Sequence, residues 1–150
     1  MSMKKARGDE SRLHQAVGGT QLTRHQKAKI AEAAVLLRLV LHRMTPYGSW
    51  FDGDKADWLV QTESGKIVTV QVKWAGQTNS SGFGLPSVRL KCTTGHGRQR
   101  RYEAGEFDFI VGYDLFTDTC YVWSWDEVSH LKAAVTITPE AAERWDKMRA

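Results

Sequence analysis

The sequence predicts a mixed α/β (α+β) domain with a central sheet flanked by helices. Three patterns indicate this class. Residues 24–44 place apolar side chains at helical spacing, and residues 66–74 alternate as a strand with one buried face does. Residues 106–115 and 120–125 are rich in aromatic and β-branched side chains and are joined by a short polar turn, which is typical of a hairpin.

The composition is that of an ordinary globular chain: 150 residues, of which 41% are hydrophobic and 25% charged. Residues 1–20 are polar and contain basic residues and a Gly-Gly pair, so we expect a flexible basic arm before a single domain at 21–150. The N-terminus lacks the apolar run of a signal peptide, and the longest apolar stretch is too short to cross a bilayer. With only two cysteines, these features favour a cytoplasmic protein without a membrane partner or a disulfide framework.

The first helix has a clear start and end in the sequence. Thr23 can cap it while Gln26, three residues later, completes a capping box, and Pro46 prevents the helix from continuing. Short strands are then expected at 47–51 and 57–62, on either side of an acidic turn.

Further elements are expected around the hairpin in the second half of the chain. A strand is predicted at 88–92, a basic loop or short helix at 93–105, and a short helix beginning at Ser124. A closing helix is predicted over 138–148, with a threonine cap and Pro139 at its first position.

The alternating strand and the strand before it are joined by the tripeptide Glu-Ser-Gly. If its Gly65 adopts the left-handed conformation of a three-residue hairpin loop, Thr62 pairs with Lys66. Continued along the two strands, the same register places Asp57 opposite Gln71.

This register brings Asp57, Gln71 and Lys73 together, since opposed residues lie about 5 Å apart on one face and Lys73 follows one step along. A carboxylate and an amide carbonyl are oxygen ligands of the kind that Mg²⁺ prefers. A lysine beside such an ion can orient or deprotonate a water, or neutralise charge on phosphorus. The simpler interpretation is that Gln71 and Lys73 form the solvated face of a half-buried strand.

A second carboxylate lies within the helix, because Glu32 shares a stripe with Val35 and Leu39. A carboxylate on an apolar stripe is costly unless it is paired or bound to a metal. Glu32 is therefore a further candidate ligand, while a glutamate at the rim of the buried face can also reach water. Asp54, in the acidic turn, is an alternative to Asp57.

The chain carries a formal net charge of +4, and much of the excess is concentrated between residues 89 and 101. Arginine and lysine on loops beside a sheet can bind the phosphates of DNA. The candidate phosphate-binding residues are Arg89, Lys91, Arg98, Arg100 and Arg101. The alternative is a solvated basic loop without a partner.

The order of these residues resembles the PD-(D/E)XK nuclease superfamily. The resemblance rests on the segments AKIAEAAVLLRL, KADWLV and VTVQVKWA and extends through the later hairpin, so it covers most of residues 24–125. It implies a restriction-endonuclease-like core in which Glu32, Asp57 and Gln71 hold the metal and Lys73 is the catalytic lysine. Two positions depart from the family pattern: an alanine precedes Asp57 where the family has proline, and Gln71 replaces an acid, which removes one negative charge.

The resemblance implies a metal-dependent endonuclease that hydrolyses phosphodiester bonds in double-stranded DNA, with Mg²⁺ as cofactor and Mn²⁺ able to substitute. The Gln-x-Lys form of the third motif resembles that of small group I intron homing endonucleases of cyanobacteria, which implies a site-specific homing-type enzyme. Two strands need two active sites, so a homo-oligomer, either a dimer or a tetramer, is expected. The alternatives are a junction-resolving or repair nuclease on the same core, and a non-catalytic DNA-binding protein that kept the fold.

Overall fold

The structure is a computed structural model that describes residues 8–48, 57–76, 85–93 and 97–149. Its helices are α1 (Arg12–Val17), α2 (Arg24–Leu41) and α3 (Trp125–Val128). Its strands are β1 (Thr45–Gly48), β2 (Trp58–Gln61), β3 (Ile67–Trp74), β4 (Ser87–Arg89), β5 (Lys91–Thr93), β6 (Gln99–Arg101), β7 (Phe109–Asp114), β8 (Thr119–Ser124) and β9 (Ala134–Thr136). Two 3₁₀ turns, Pro139–Ala141 and Trp145–Arg149, end the described chain.

Five strands form the central sheet in the order β1-β2-β3-β7-β8. Strands β3 and β7 are parallel, while the other neighbours in this sheet are antiparallel. The sheet is therefore mixed, as the sequence predicts, and the parallel pair at its centre joins the first half of the chain to the second.

Helix α2 covers one face of the sheet. Its Ala31, Val35 and Leu39 are buried against a cluster that includes Val70 and Val111 from the central strands. The helix begins where the sequence predicts, because the Thr23 side chain accepts the Gln26 N–H and the Gln26 side chain accepts the Thr23 N–H. The prediction of an α/β fold with a helix packed on a central sheet is confirmed.

The opposite face of the sheet is covered by a second apolar cluster, which the segment between β3 and β7 supplies in large part. Val88, Leu90 and Tyr102 pack there against Ile110 and Trp123 of the sheet. The approach of this layer to β7 is close, because a Cβ at Gly112 would lie 2.2 Å from the Val88 Cγ2. A glycine is therefore required at that position.

Residues 85–93 and 97–102, called the covering layer below, differ from the sequence prediction in their local structure. The strand expected at 88–92 is divided into β4 and β5, with Leu90 between them, and the basic stretch expected as a loop or helix contains β6 instead. Strand β4 pairs with β9, which the sequence did not predict, and β5 pairs with β6. The first strand was expected at 47–51; β1 ends at Gly48, and residues 49–51 lie outside the described residues.

The prediction of a closing helix over 138–148 is wrong. The segment forms two 3₁₀ turns separated by Glu143, which has a positive φ of 52°. The carboxylate of Glu143 accepts hydrogen bonds from the Cys120 N–H (2.7 Å) and the Trp145 indole N–H (2.8 Å). The tertiary bond to Cys120 and the local bond to Trp145 hold the chain in a conformation that a continuous helix does not allow.

The described part of the N-terminal segment, residues 8–20, differs from the flexible arm that the sequence predicts. It contains α1, which is capped by Ser11 and docked on the turn between β7 and β8. The Ser11 hydroxyl donates to the Leu115 carbonyl (2.7 Å), and the His14 ring packs edge-on against Phe116. Among the helices of the described residues, none has the length and apolar content needed to cross a membrane.

Candidate active site

The hairpin of β2 and β3 positions the first candidate residues. Gly65 has a φ of +89°, and the Thr62 N–H donates to the Lys66 carbonyl (2.9 Å), as the sequence predicts. The ladder pairs Trp58 with Val70 in the same register and ends there. The predicted hairpin register is confirmed as far as the end of β2.

Asp57 lies just beyond that end and is bonded to the backbone on both sides of Gln71. Its N–H donates to the Val70 carbonyl (2.9 Å), and its carboxylate accepts the Val72 N–H (2.7 Å). The side chain therefore takes the place of a backbone partner at the point where β2 stops covering β3. Asp57 is beside Gln71, although the two are not a paired position of the ladder.

Lys73 projects from β3 on the face opposite to α2. Its ammonium donates to the Lys91 carbonyl (3.1 Å) and lies 5.4 Å from the centre of the Tyr102 ring. Burial lowers the pKa of Lys73 below its ordinary value, and the charge of Arg89 lowers it further, while Asp57 acts in the opposite direction. A lysine with a lowered pKa is closer to serving as a base at neutral pH.

The pKa of Asp57 is shifted in the direction opposite to that of Lys73. Burial raises the pKa of its carboxyl above the ordinary value, and the negative charge of Glu32 raises it further. The Val72 N–H, Lys73 and Lys29 act in the opposite direction without cancelling the rise. Burial therefore makes the charged form of both Asp57 and Lys73 less favourable than it is in water.

Glu32 comes to the site from α2, on the other side of β3. Its side chain is 32% exposed and forms an ion pair with Lys29 (3.3 Å), one turn earlier on the helix. The negative charge of Glu32 acts on the Asp57 carboxyl, so Glu32 lies in the neighbourhood of the end of β2. The Asp57 carboxyl thus feels the charges of two residues from other elements, Glu32 on α2 and Lys73 on β3.

The donor set fits a hard divalent ion. Among the residues that the structure describes, no three His, Cys, Asp or Glu side chains are grouped closely enough to hold a metal by themselves. Mg²⁺ commonly takes only one or two carboxylates and completes its shell with waters and substrate oxygens. Asp57 and Glu32, with the half-buried Gln71 amide on β3, supply that kind of set. Asp54, the alternative carboxylate, lies outside the described residues.

The five basic candidates fall into two groups. Arg89 and Arg98 are exposed, and Lys91 is half-buried with its carbonyl bonded to Lys73. Arg100 forms an ion pair with the buried Glu106 (2.7 Å), and Arg101 donates to the Leu131 carbonyl (3.0 Å). Arg89 and Lys91 lie beside Lys73, whereas Arg100 and Arg101 make bonds that hold the covering layer together.

Tyr102 is a neighbour of the site that the sequence analysis did not select. It immediately follows the basic run and is buried between the covering layer and the sheet, with its ring facing the Lys73 ammonium. Nothing in the local sequence distinguishes this ring from an ordinary core aromatic. The contact depends on β5 and β6 folding back over β3, which is a tertiary arrangement.

Comparisons with known proteins bear on the family and the fold of the chain. A family model described as "PD-(D/E)XK endonuclease" matches residues 22–149. No curated protein sequence matches the chain. A solved structure titled as that of a bacterial homing endonuclease, I-Ssp6803I, is similar with a TM-score of 0.70 and 18% identity, over 85% of this chain and 93% of the other. At that identity the structural match shows a shared fold, here the restriction-endonuclease-like core.

Proposed function

The chain belongs to the PD-(D/E)XK endonuclease family, and we propose that it is a Mg²⁺-dependent enzyme that cuts double-stranded DNA at specific sites. The observation that carries this proposal is the arrangement at the end of β2. There the Asp57 carboxylate is fixed by the Val72 N–H and is influenced by the charges of both Glu32 and Lys73. Phosphodiester hydrolysis needs an anionic metal site and a cation close together, and this arrangement supplies both.

Each residue has a separate role in the proposed reaction. Asp57, Glu32 and Gln71 would hold Mg²⁺, or Mn²⁺ in its place, and the ion would supply Lewis-acid stabilisation of the phosphate charge. The Val72 N–H keeps the Asp57 carboxylate oriented. Lys73, with its lowered pKa, accepts a proton from the attacking water or balances the charge that develops on phosphorus.

The DNA would lie against the basic surface beside this site. Arg89 and Arg98 are exposed and Lys91 is half-buried, and Arg89 lies close enough to Lys73 to lower its pKa. These three side chains are suited to phosphate contacts that set the register of the duplex. Arg100 and Arg101 would serve mainly to shape the layer that carries them, because both are bonded within it.

Site specificity of the homing type is supported by two observations. The similar structure is that of a protein titled as a homing endonuclease, and Gln71 occupies the third-motif position where an acid is usual. A junction-resolving or repair nuclease would use the same carboxylates and lysine. The two activities therefore have to be separated by substrate rather than by mutation of the site.

The proposed enzyme acts as a homo-oligomer, and the outer face of α2 is the surface we assign to the second copy. Leu36, Leu37, Val40 and Leu41 are 36%, 56%, 57% and 68% exposed on this helix. The stripe carries no charge, because Arg38 is turned inward to Asp118 and Glu143. Two copies of a chain with net charge +4 can meet on such a face without bringing cations together.

The nuclease assignment is tested by cleavage and binding together. A plasmid library with randomised duplex inserts, long linear phage DNA and four-way junctions, which together offer many candidate sites, are incubated with Mg²⁺ and wild type, Asp57→Asn or the exposed control Asp126→Asn. We expect wild type and the control to cut duplex DNA, and Asp57→Asn to bind it without cutting. Preferred cleavage of junctions would replace the homing-type activity, and binding without cleavage by all three would identify a non-catalytic DNA-binding protein. Equal cleavage by Asp57→Asn would refute the assigned site.

The oligomer is tested by light scattering after size exclusion. Leu41→Glu places a charge on the exposed stripe, and Ile67→Glu places the same charge on an exposed apolar residue (53%) outside it. We expect wild type and Ile67→Glu to have the mass of a dimer or tetramer and Leu41→Glu to shift toward the monomer. An unchanged mass for Leu41→Glu would show that α2 is not the interface.

A further inference from the structure

The Lys73 ammonium is covered by the layer that contains β5 and β6. A hydrogen bond of 3.1 Å joins its Nζ to the Lys91 carbonyl on β5. The Tyr102 ring, one residue after β6, lies with its centre 5.4 Å from the same nitrogen. One strand of the small β5–β6 hairpin thus supplies a carbonyl to the ammonium, and the residue after the other strand supplies an aromatic face.

The Tyr102 ring is held in place by its own neighbours. The residue is 8% exposed, and its ring packs edge-to-face against Phe107 with the centroids 5.1 Å apart. Phe107 in turn packs edge-to-face against Trp125 at the start of α3, at 5.2 Å. The ring that faces Lys73 is therefore the end of a packed aromatic row and cannot move without disturbing that row.

We propose that Tyr102 is a positioning residue that holds the Lys73 ammonium at the proposed cleavage site through the face of its aromatic ring. This inference rests on the role of Lys73 in the proposed function. A lysine side chain has four rotatable bonds, and one carbonyl acceptor leaves the ammonium free to pivot. An aromatic face attracts a cation within about 6 Å, so the ring and the Lys91 carbonyl together restrict it.

The buried position of Tyr102 separates this role from DNA binding. Tyr102, on the inner side of the covering layer, is 8% exposed and has little surface to offer a duplex. Loss of the ring should therefore lower the turnover of bound DNA while leaving its affinity unchanged. A phenylalanine keeps the ring and should be sufficient, whereas a leucine keeps apolar volume without the aromatic face.

The kinetic test compares Tyr102→Phe and Tyr102→Leu with a matched core change, Tyr121→Leu, at a tyrosine that is 6% exposed and stacks on Trp123. The cleavage rates are measured below the unfolding temperature of every variant. We expect Tyr102→Phe and Tyr121→Leu to keep kcat within about twofold. Tyr102→Leu should lower kcat about tenfold, the scale of a desolvated cation–aromatic contact, with KM unchanged. In a Lys73→Met background, Tyr102→Leu should have no further effect on kcat.

A second measurement does not depend on cleavage. It separates the proposed role of Tyr102 from the proposed role of Lys73 in the reaction. NMR of the DNA-free protein, with labelled lysine, reports whether the two Cε protons of Lys73 are inequivalent, as they are in a held side chain. We expect inequivalence in wild type and Tyr102→Phe, and averaging to one signal in Tyr102→Leu. Averaged signals already in wild type, or equal kcat for the phenylalanine and leucine variants, would overturn the role of Tyr102. Undiminished cleavage by Lys73→Met, with the NMR result as expected, would overturn the role of Lys73 in the reaction instead.

Discussion

Arg38 and Lys73 are both cations that the fold removes from water in large part, and their surroundings differ. The Arg38 guanidinium, with its side chain 13% exposed, bonds to Asp118 (2.9 Å), to both oxygens of Glu143 (3.2 Å) and to the Ala34 carbonyl (3.2 Å). Burial alone would lower the pKa of Arg38, but the surrounding groups, which include the hydrogen-bonded Asp118 and Glu143, outweigh burial and raise the pKa above its ordinary value. The charge of Arg38 is fully compensated.

The charge of Lys73 is not compensated in this way. The pKa of Lys73 is lowered by burial, and the pKa of its neighbour Asp57 is raised by burial. The fold therefore penalises both charges, whereas it favours the charge on Arg38. Groups whose charges are penalised by burial are common at functional sites. This difference supports our proposal that Lys73 and Asp57 serve chemistry, whereas the bonds of Arg38 to Asp118 and Glu143 serve stability.

The largest effect expected from this difference between Lys73 and Arg38 is on DNA cleavage. Lys73→Met should reduce DNA cleavage by about 10²–10⁴-fold, the range for loss of a positioned acid–base group, and leave DNA binding intact. The exposed Lys132→Met serves as the control and should cut as wild type does. The measurement is the single-turnover cleavage rate beside the dissociation constant for the same duplex.

The next effect is on stability, where substitution of Arg38 should matter more than substitution of Lys73. Arg38→Met should lower the free energy of unfolding by about 2–3 kcal/mol. This is less than for a fully buried pair, because the side chains of Asp118 and Glu143 are 36% and 39% exposed. Lys73→Met should cost little stability, since it removes a penalised charge and keeps apolar volume. Urea denaturation of both variants measures this, and a larger loss for Lys73→Met would reverse the assignment.

A smaller effect concerns Asp57 and depends on pH. Because the pKa of Asp57 is raised in the folded state, ionisation of its carboxyl destabilises the fold as pH rises through 3.8 toward the raised value. Asp57→Asn keeps an acceptor for the Val72 N–H and removes that penalty. The variant should be more stable than wild type by on the order of 1 kcal/mol at neutral pH.

The same variant should lose that advantage in acid, since below pH 3.8 the carboxyl is protonated in both states. Thermal unfolding of wild type and Asp57→Asn at pH 7.5 and at pH 3.5 measures both ends. A destabilised Asp57→Asn at neutral pH would show that the carboxylate is structural.

The sequence was sufficient where the determinants are local. The capping box of Thr23 and Gln26 fixed the start of α2, and the loop with Gly65 fixed the register that brings the start of β2 to Gln71. This register placed Asp57 beside Gln71, while helix periodicity only marked Glu32 as an acid on an apolar stripe. The assignment of Glu32 to the same site came from the resemblance to the nuclease family.

The sequence was insufficient where distant segments decide the structure. Strand β9 forms only because Ala134–Thr136 meets β4 across more than 40 residues of chain. The closing helix fails because Glu143 is held by Cys120 and Arg38. The contact of Tyr102 with Lys73 was missed for the same reason, since local propensity contains no information about which strand folds over which.

The most direct test of the account is a crystal of the protein soaked in Mn²⁺, examined by anomalous scattering. We expect one ion beside the Asp57 carboxylate, with Glu32 and the Gln71 amide within its coordination sphere or one water away. An ion held elsewhere, with none at Asp57, would contradict the proposal that the penalised charges at the end of β2 form the catalytic centre.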